Sequence, residues 1–426
     1  MTKAPEKSPA PFPSATFRGV GIICAAQLLA VFGEHIFLFN GLPLWAYDHL
    51  GGRSGVSLAL AAVTLPALAS YPAGLIAGRF APRRTLLTCA AVRTVLSLLL
   101  LLGTLFAVEA TGVYNAALLL FFTAAISLTD SFFMPVLKAA LPLWSGEQEA
   151  ARARANALME AADVPGFLLG PGVAVLLYQR SKGSLSIVDA TFAATYLLAF
   201  VFLLFLPKHR VPEKRDVCTP TSLQGTSSTV TSSWHQAAPL LGVWTSSMFV
   251  LGMTQALALP FVRETLRGSE AIYGILATIF GVGITVGASA TSLAAVLRLS
   301  PLQRVTLFLL FAGTGLCLTA GNGTLLAAGV GWLFGGAGFA GVTVTMTTYL
   351  QGAAAQTKRA GLIGLTHSLE AAGVALGSIV SASTSYYVGI RGALAIGGLI
   401  LIVGAGATYL ARNKTAARHP AEPDLT

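Results

Sequence analysis

The sequence predicts an all-α membrane protein whose twelve transmembrane helices form two six-helix bundles. Of its 426 residues, 54% are hydrophobic and only 10% are charged, against roughly 25% charged in an average soluble domain. A bilayer helix needs about 20 mostly apolar residues, and the chain contains twelve runs of that kind. Because a water-soluble fold cannot bury so much apolar surface, the bilayer is the predicted solvent.

The twelve runs fall into two sets of six. The predicted spans are 17–39, 55–78, 85–108, 112–137, 156–178 and 185–206, then 237–260, 271–296, 304–320, 324–350, 360–385 and 391–411. Residues 207–236, which are charged first and rich in Ser and Thr afterwards, form a predicted cytoplasmic linker. The linker separates an N-terminal bundle, 17–206, from a C-terminal bundle, 237–411. Two halves of this kind typically move against each other around a site at the midplane.

Basic residues in the loops predict the orientation of the chain. With the N-terminus in the cytoplasm, the cytoplasmic segments hold twenty Lys and Arg residues and the outside loops hold six, while Arg93 lies within a span. This asymmetry places both tails, 1–16 and 412–426, in the cytoplasm. We expect a multi-pass protein of the cell (inner) membrane whose first span is an uncleaved signal.

Several functions are not expected from this composition. The formal charge of +10 does not predict nucleic-acid binding, because the basic residues lie in short clusters between apolar runs. The four cysteines have no C-x-x-C spacing, so we expect no disulfide framework, metal site or cofactor. No nucleophile and base cluster near an interface, so an enzyme is not predicted. Small residues at four-residue spacing, such as Gly283 with Gly287 and Gly331 with Gly335, favour close helix packing over a ligand role.

Charged residues inside the predicted spans are the candidate functional residues. A charge in the middle of a bilayer costs about 2.5 to 3.5 kcal/mol or more, so such residues are few and usually functional. The candidates for proton coupling or substrate binding are Glu34, Arg93, Asp130, Glu160, Asp163, His367 and Glu370.

Each candidate has more than one interpretation. Glu34 is either a proton carrier in a low-dielectric environment or the structural partner of a base, for which Arg93 is the obvious choice. Arg93 itself pairs with Glu34, clamps an anionic head group, or extends back to the membrane interface. Asp130 either lines the transport path or faces a loop.

Two further pairs of candidates are three residues apart, so each pair shares one helix face. They are Glu160 with Asp163, and His367 with Glu370. Because two ligands are too few for a metal site, a proton relay or a bond between helices is favoured.

The end of the second span resembles the loop motif of the major facilitator superfamily. Its sequence GLIAGRFAPRR contains Gly74, Gly78, Arg79, Arg83 and Arg84. Gly78 stands where the family motif has Asp, and a simple cytoplasmic basic loop is the alternative interpretation. The resemblance implies a secondary transporter with the two-bundle fold.

Further stretches resemble two branches of that superfamily. FMP at 133–135, ALP at 140–142, RANALMEA at 154–161 and GFLLGPG at 166–172 are similar to macrolide-efflux drug:proton antiporters. The antiporter-like motif of the fifth helix consists of Pro165, Gly166, Gly170, Pro171 and Gly172. ANALMEA, the FGEH of the first helix and Arg93 also resemble bacterial lysophospholipid transporters. The first likeness implies proton-coupled efflux of an amphipathic or hydrophobic drug-type molecule, and the second implies lysophospholipid flipping across the inner membrane.

Overall fold

A computed structural model describes residues 14–77, 79–106, 112–145, 149–207, 227–297, 299–353 and 359–418, and nearly all of them are helical. The α-helices are α1 (Ser14–Ile36), α2 (Leu42–His49), α3 (Arg53–Thr64), α4 (Ser70–Ala77), α5 (Pro82–Phe106), α6 (Gly112–Ser145), α7 (Glu149–Arg180), α8 (Ser186–Leu204), α9 (Ser227–Pro260), α10 (Glu270–Val296), α11 (Pro301–Asn322), α12 (Leu325–Ala353) and α13 (Arg359–Arg418). Two π-helical turns, Phe37–Gly41 and Phe261–Thr265, extend α1 and α9, and the 3-10 turn Leu65–Ala69 joins α3 to α4.

Eleven segments in the described part of the chain are long and apolar enough to cross a bilayer. They are Arg18–His49, Arg53–Ala77, Pro82–Phe106, Ala116–Ser145, Ala161–Arg180, Ser186–Leu204, Leu241–Thr265, Glu270–Thr291, Pro301–Asn322, Leu325–Tyr349 and Ile363–Leu410. Large apolar side chains such as Leu102, Leu197 and Leu399 are exposed on the surface of the bundle, as expected for side chains that contact lipid. The chain is therefore a multi-pass, all-helical membrane protein.

The last helix contains a sharp backbone break. At 1.5 Å per residue, the 60 residues of α13 would extend about 90 Å, roughly three times the thickness of a bilayer core. Gly389 interrupts it with φ 74° and ψ 166°, a conformation available essentially only to glycine. The break lies between the two last predicted spans, 360–385 and 391–411.

Two predicted boundaries differ from the structure. The fourth predicted span ends at 137, but α6 continues through Pro135 and Lys138 to Ser145, and α7 starts at Glu149. Likewise, α9 starts at Ser227, within the predicted linker 207–236. The sequence 227–236 contains neither Gly nor Pro, so the backbone hydrogen bonds of an apolar helix can continue into it.

Glycines allow the helices of the second predicted half to approach closely. A Cβ atom at Gly283 would lie 3.0 Å from the backbone nitrogen of Ala337 in α12. Gly287 and Gly331 also abut the backbone of a neighbouring helix, whereas a Cβ at Gly335 would meet the Phe280 ring only at 3.6 Å. Three of these four glycines thus have the packing role predicted for them.

Helices of the two predicted halves pack directly against each other. The long α13 contacts α9 and α11, and it also contacts α3, α4 and α6 of the first half. Ser368 of α13 accepts a hydrogen bond from the backbone N–H of Tyr71 and donates one to the carbonyl oxygen of Leu68, both at 2.9 Å. On another side, α7 packs against both α1 and α10.

Candidate functional site

Arg93 is the centre of a buried polar cluster. It lies about 17 Å along α5 from Pro82, near the middle of the helix. Its Nη2 donates hydrogen bonds to Oε1 of Glu34 at 2.6 Å and to the Tyr196 hydroxyl at 2.9 Å. Its Nη1 lies 2.7 Å from Oδ1 of Asp130. Because the Arg93 side chain is only 4% exposed, it does not extend to the membrane interface.

The four residues of this cluster come from four helices and occupy one level. Glu34, Arg93, Asp130 and Tyr196 each lie near the middle of an apolar segment, in α1, α5, α6 and α8 respectively. We call these four residues the Arg93 cluster. Asp130 does not face a loop as one interpretation expected, because α6 extends fifteen residues beyond it to Ser145. One guanidinium therefore serves two carboxylates in the middle of the span.

Aromatic rings and a second hydrogen bond fix the position of the guanidinium. Its carbon lies 4.9 Å from the centre of the Phe133 ring and 4.4 Å from that of Tyr196, so both rings contact the cation. The Tyr196 hydroxyl also donates to Oε1 of Glu34 at 3.1 Å. Next to the cluster, Thr94 donates to the backbone carbonyl of Tyr196 at 3.2 Å. These contacts hold α5 against α8 and orient the acid and the base.

The candidates on α7 lie one helix away from the cluster. Asp163 accepts a hydrogen bond from Nε2 of Gln27 at 3.0 Å, which links α7 to α1. Asp163 and Glu34 are close enough to interact electrostatically. Glu160 lies on the same helix, but its side chain lies outside the described residues.

His367 and Glu370 form a pair on α13 that has no hydrogen bond to the Arg93 cluster among the described residues. Nδ1 of His367 lies 3.5 Å from Oε2 of Glu370, and each side chain is 33% exposed. The helix packs against α6, and His367 is within electrostatic range of Asp130. Within the described ranges, no group of three or more potential ligands is placed to hold a metal ion.

The predicted loop motif makes a structural contact that its family resemblance did not suggest. Gly74 is buried, Arg83 is half-buried, Arg79 and Arg84 are exposed, and Gly78 lies outside the described residues. Nε of Arg83 donates to the carbonyl oxygen of Leu206 at 2.7 Å, and its Nη2 donates to that of Leu204 at 3.3 Å. Arg83 thus binds carbonyl groups at the C-terminal end of α8, where a cation is favourable.

The antiporter-like motif lies within α7, and both of its prolines are inside one continuous helix. Its members are Pro165, Gly166, Gly170, Pro171 and Gly172. A Cβ atom at Gly166 would lie 3.0 Å from the carbonyl oxygen of Val31, and one at Gly170 would lie 2.5 Å from Cβ of His35. These two glycines allow α7 to pack tightly on α1, while Gly172 faces a side chain of α10.

A second polar cluster connects the halves at the end of the bundle predicted to face outside. Arg53 binds Glu264, with Nε 2.9 Å and Nη2 2.5 Å from Oε2. Arg263 forms ion pairs with Asp48 at 3.4 Å and with Glu270. We call these five residues the outer network. Its ion pairs are about one-quarter to one-third exposed, so they can break and re-form at low cost.

The π-helical turn after α1 creates a further link between the halves. Nδ2 of Asn40 donates to the backbone carbonyl of His35 at 2.6 Å. The Oδ1 atom of Asn40 then accepts a hydrogen bond from the Tyr273 hydroxyl of α10 at 3.0 Å. A π-helical turn interrupts the regular ladder of backbone bonds and is frequent at functional sites. Asn40 satisfies one backbone carbonyl, that of His35, at the start of this interruption.

Sequence reasoning missed several of these residues. Tyr196, Asn40 and Tyr273 are single polar side chains in apolar runs, and nothing in their spacing indicates a partner. Of the outer network, the sequence analysis counted only Arg53 and Arg263, as basic residues of the outside loops. Asp189 was overlooked because it lies near the predicted start of a span, yet it is completely buried in the first turn of α8. An intramembrane acid or amide is the signal that could have identified Asn40 and Asp189.

A multi-pass helical bundle with a buried acid–base cluster at mid-span is typical of polytopic membrane transporters. The chain belongs to the Major Facilitator Superfamily, whose family model matches residues 23–256, more than half of its length. None of the curated proteins matches the sequence. The protein is therefore a transporter of this superfamily.

Solved structures of other transporters share the fold. A POT family transporter in complex with a thioalcohol-conjugated peptide has a TM-score of 0.72 at 14% identity, covering 95% of this chain and 98% of its own. A bacterial homologue of the human lysosomal transporter Spinster has a TM-score of 0.68 at 13% identity, with coverage of 97% and 100%. A D-xylose–proton symporter has a TM-score of 0.68 at 15% identity, with coverage of 93% and 98%. At these identities the likeness concerns the fold alone.

Proposed function

We propose that this protein is a secondary active transporter that exports an amphipathic or hydrophobic molecule of the drug or antibiotic type in exchange for protons. The Arg93 cluster is the observation that carries the proposal. A buried guanidinium with two carboxylates in the middle of the span is costly to place in a membrane and is rarely kept without a function. The sequence resemblance to drug:proton antiporters and the proton coupling of the symporter that shares the fold also support it.

The chemistry of exchange follows from the two carboxylates. A proton on Glu34 or Asp130 removes one negative charge and weakens its attraction to Arg93. Binding of a substrate beside the same carboxylates favours the loss of that proton. Proton and substrate therefore compete for one site, which is the requirement for exchange. His367 and Glu370 face the same α6 helix and provide a candidate relay towards it.

Alternation between the two sides of the membrane involves the predicted halves. The proposed topology has twelve spans, with Ile363–Leu410 divided at Gly389, and six spans on each side of the linker 207–236. Both tails lie in the cytoplasm at the inner membrane, and the asymmetry of basic residues supports this orientation. In each cycle the outer network opens and re-forms, while α7 and α13 slide against the other half.

Transport by purified protein in liposomes tests the proposal. We expect an imposed proton gradient to drive accumulation of a lipophilic dye, and Glu34→Gln to abolish the coupling while its amide still accepts the bonds of Arg93 and Tyr196. Arg180→Gln, at an exposed position outside the predicted motifs, is the matched control and should transport normally. Transport that ignores the gradient in the wild type and is unchanged by Glu34→Gln would contradict the proposal.

Lysophospholipid flipping, the alternative suggested by sequence, requires Arg93 to hold a phosphate group. Both Nη atoms of Arg93 are already bound to carboxylates and to Tyr196, which weighs against this alternative. Uptake of labelled lysophospholipid by spheroplasts, abolished by Arg93→Ala, would reverse this preference.

A further inference from the structure

We propose that the cavity beside the outer network binds the phosphocholine headgroup of a membrane phospholipid, with its quaternary ammonium on the rings of Tyr386 and Tyr387 and its phosphate on Arg53. This binding site is separate from the Arg93 cluster, and it depends neither on the cargo nor on proton coupling. The proposal follows from the position, the charges and the surroundings of this cavity.

The cavity lies between the two predicted halves, at the end of the bundle predicted to face outside. Its volume is about 670 Å³, which is within the usual range of small-molecule binding sites. The first half contributes residues 51–54 to the lining, and the second half contributes Glu264 and four residues of α13 between 382 and 387. A molecule in this cavity therefore contacts both halves at once.

The two charges that line the cavity belong to one ion pair, so the lining as a whole is neutral. Glu264 already accepts hydrogen bonds from the Tyr47 hydroxyl at 3.2 Å and from the Arg53 guanidinium. Nε and one N–H of each Nη group of Arg53 bind Glu264 and the carbonyl oxygen of Ser385, so each Nη keeps a second N–H. The Arg53 side chain is 31% exposed. An anionic oxygen can thus reach this guanidinium, whereas the Glu264 carboxylate is already occupied.

Two serine hydroxyls add donors for the same anionic group. Ser54 and Ser383 line the cavity from opposite halves and are exposed. Neither hydroxyl makes a hydrogen bond to another residue in the part of the chain that the structure describes. Together with Arg53 they can donate to the oxygens of a phosphate, and hydrogen bonds to an ionised acceptor are the strong ones.

The aromatic part of the lining suits a quaternary ammonium group. The rings of Tyr386 and Tyr387 have centroids 5.4 Å apart at an interplanar angle of 88°, so they form a corner. They are 81% and 82% exposed, and tyrosine is frequent at the membrane–water interface. A methylated ammonium has no N–H and needs no acceptor, and the faces of tyrosine rings attract it. One headgroup with a phosphate and a quaternary ammonium therefore matches both parts of the cavity.

The surface next to the cavity identifies the ligand as a lipid. Leu58 lies about one turn deeper in the membrane than Ser54 on α3 and is exposed. On α13, Ile379 and Leu376 lie about one and two turns deeper than Ser383 and are also exposed. Acyl chains attached to a headgroup in the cavity would lie beside these apolar side chains, at the depth that acyl chains occupy in a bilayer.

A bound lipid would favour closure of the outer end. It contacts Arg53 of the first half and the two tyrosines of the second half at the same time, and this combination exists only while the halves are together. Binding therefore shifts the population towards the state in which the outer network is formed.

Titration of the delipidated full-length protein with dioleoylphosphatidylcholine, followed by native mass spectrometry, tests the proposal. We expect the first lipid to bind at least about tenfold more tightly than later ones. This preference should be lost in the double variant Tyr386→Leu, Tyr387→Leu, because two exposed cation–π contacts are worth about tenfold in affinity. Dioleoylphosphatidylglycerol has the same phosphate and acyl chains without the positive group, so it should bind about tenfold more weakly.

Tyr409→Leu is the matched control, since it removes another exposed tyrosine of α13 beyond the break at Gly389. It should bind the first phosphatidylcholine like the wild type. The double variant Tyr386→Phe, Tyr387→Phe keeps both ring faces and should also bind normally. Gel filtration checks that each variant is folded.

Three results would overturn the proposal. The first is a leucine double variant that is folded and binds phosphatidylcholine as the wild type does. The second is equal or tighter binding of phosphatidylglycerol. The third is competition by glycerophosphocholine, which lacks acyl chains, at the same concentration as the lipid, because the ligand would then be soluble. Transport does not enter these measurements, so their outcome leaves the proposed function untouched.

Discussion

Replacement of Arg93 by methionine should destabilise the protein more than any comparable surface change. Methionine has a similar length and fits a buried site, but it leaves Glu34 and Asp130 without their shared cation. Removing one partner of a buried ion pair typically costs about 3–5 kcal/mol. Because both carboxylates are partly exposed, we expect the lower end of that range for the charges. The lost contacts with Phe133 and Tyr196 add about 1 kcal/mol.

A total of roughly 4 kcal/mol corresponds to a fall in Tm of about 4–5 °C for a chain of 426 residues, at an unfolding entropy of about 2.1 cal/mol/K per residue. Thermal unfolding of the detergent-solubilised protein, followed by tryptophan fluorescence, measures it. The triple variant Arg93→Met, Glu34→Gln, Asp130→Asn should recover most of the loss, because no charge remains unpaired. The exposed Arg79→Met is the matched control.

Two results would refute this reasoning. If Arg93→Met unfolds within about 2 °C of the wild type, the guanidinium does not compensate buried charge. If the triple variant is as unstable as the single one, the loss comes from packing and not from electrostatics. In the second case, Glu34 and Asp130 would not be coupled through Arg93, and competition between proton and substrate would lose its physical basis.

Other parts of the structure lead to three more predictions. Glu264→Gln should lower stability by less than about 1 kcal/mol. It should nevertheless speed maleimide labelling of a cysteine placed at Ser57, which is buried and bonded to Ser381 of α13, in a background without native cysteines; unchanged labelling would show that the outer network does not hold this end closed. Gly170→Leu should prevent recovery of folded protein in gel filtration, because even its Cβ would lie 2.5 Å from a side-chain atom of α1; normal recovery would contradict the described packing. Gly389→Ala should lower Tm because alanine at this backbone conformation costs about 1–3 kcal/mol. No atom lies close enough to clash with the added Cβ, so the whole loss comes from the backbone. Gly406→Ala, at an equally open position with regular helical backbone, should be neutral or slightly stabilising.

The sequence predicted those features that depend on simple local chemistry. Apolar runs predict membrane helices because the bilayer requires each segment to satisfy its own backbone hydrogen bonds. Glu34 and Arg93 were identified because charges are rare in such runs, and their different types suggested a pair. The helices α6 and α9 extend beyond the predicted spans, because Lys138 and the polar residues after 227 were assigned to cytoplasmic segments although the helices continue through them.

The remaining features depend on contacts between distant residues. Asp130 was a candidate, but only the packing of α6 against α5 makes it a second partner of Arg93. Tyr196 has an ordinary apolar sequence environment, and its role follows from the position of α8. The outer network combines residues at helix ends more than 200 positions apart, such as Arg53 and Glu264, whose charges alone do not specify a partner.

The attachment of α5 to α8 has a practical consequence for distance measurements. Arg83 of α5 is hydrogen-bonded to carbonyl groups at the C-terminal end of α8. About 15 Å further along α5, Arg93 is hydrogen-bonded to Tyr196 near the middle of α8. Two attachments at different heights prevent both tilting and sliding. Spin labels placed on the lipid-facing sides of α5 and α8 should therefore report a single, narrow distance distribution in every functional state. This pair can act as the internal ruler against which displacement of any other helix is calibrated.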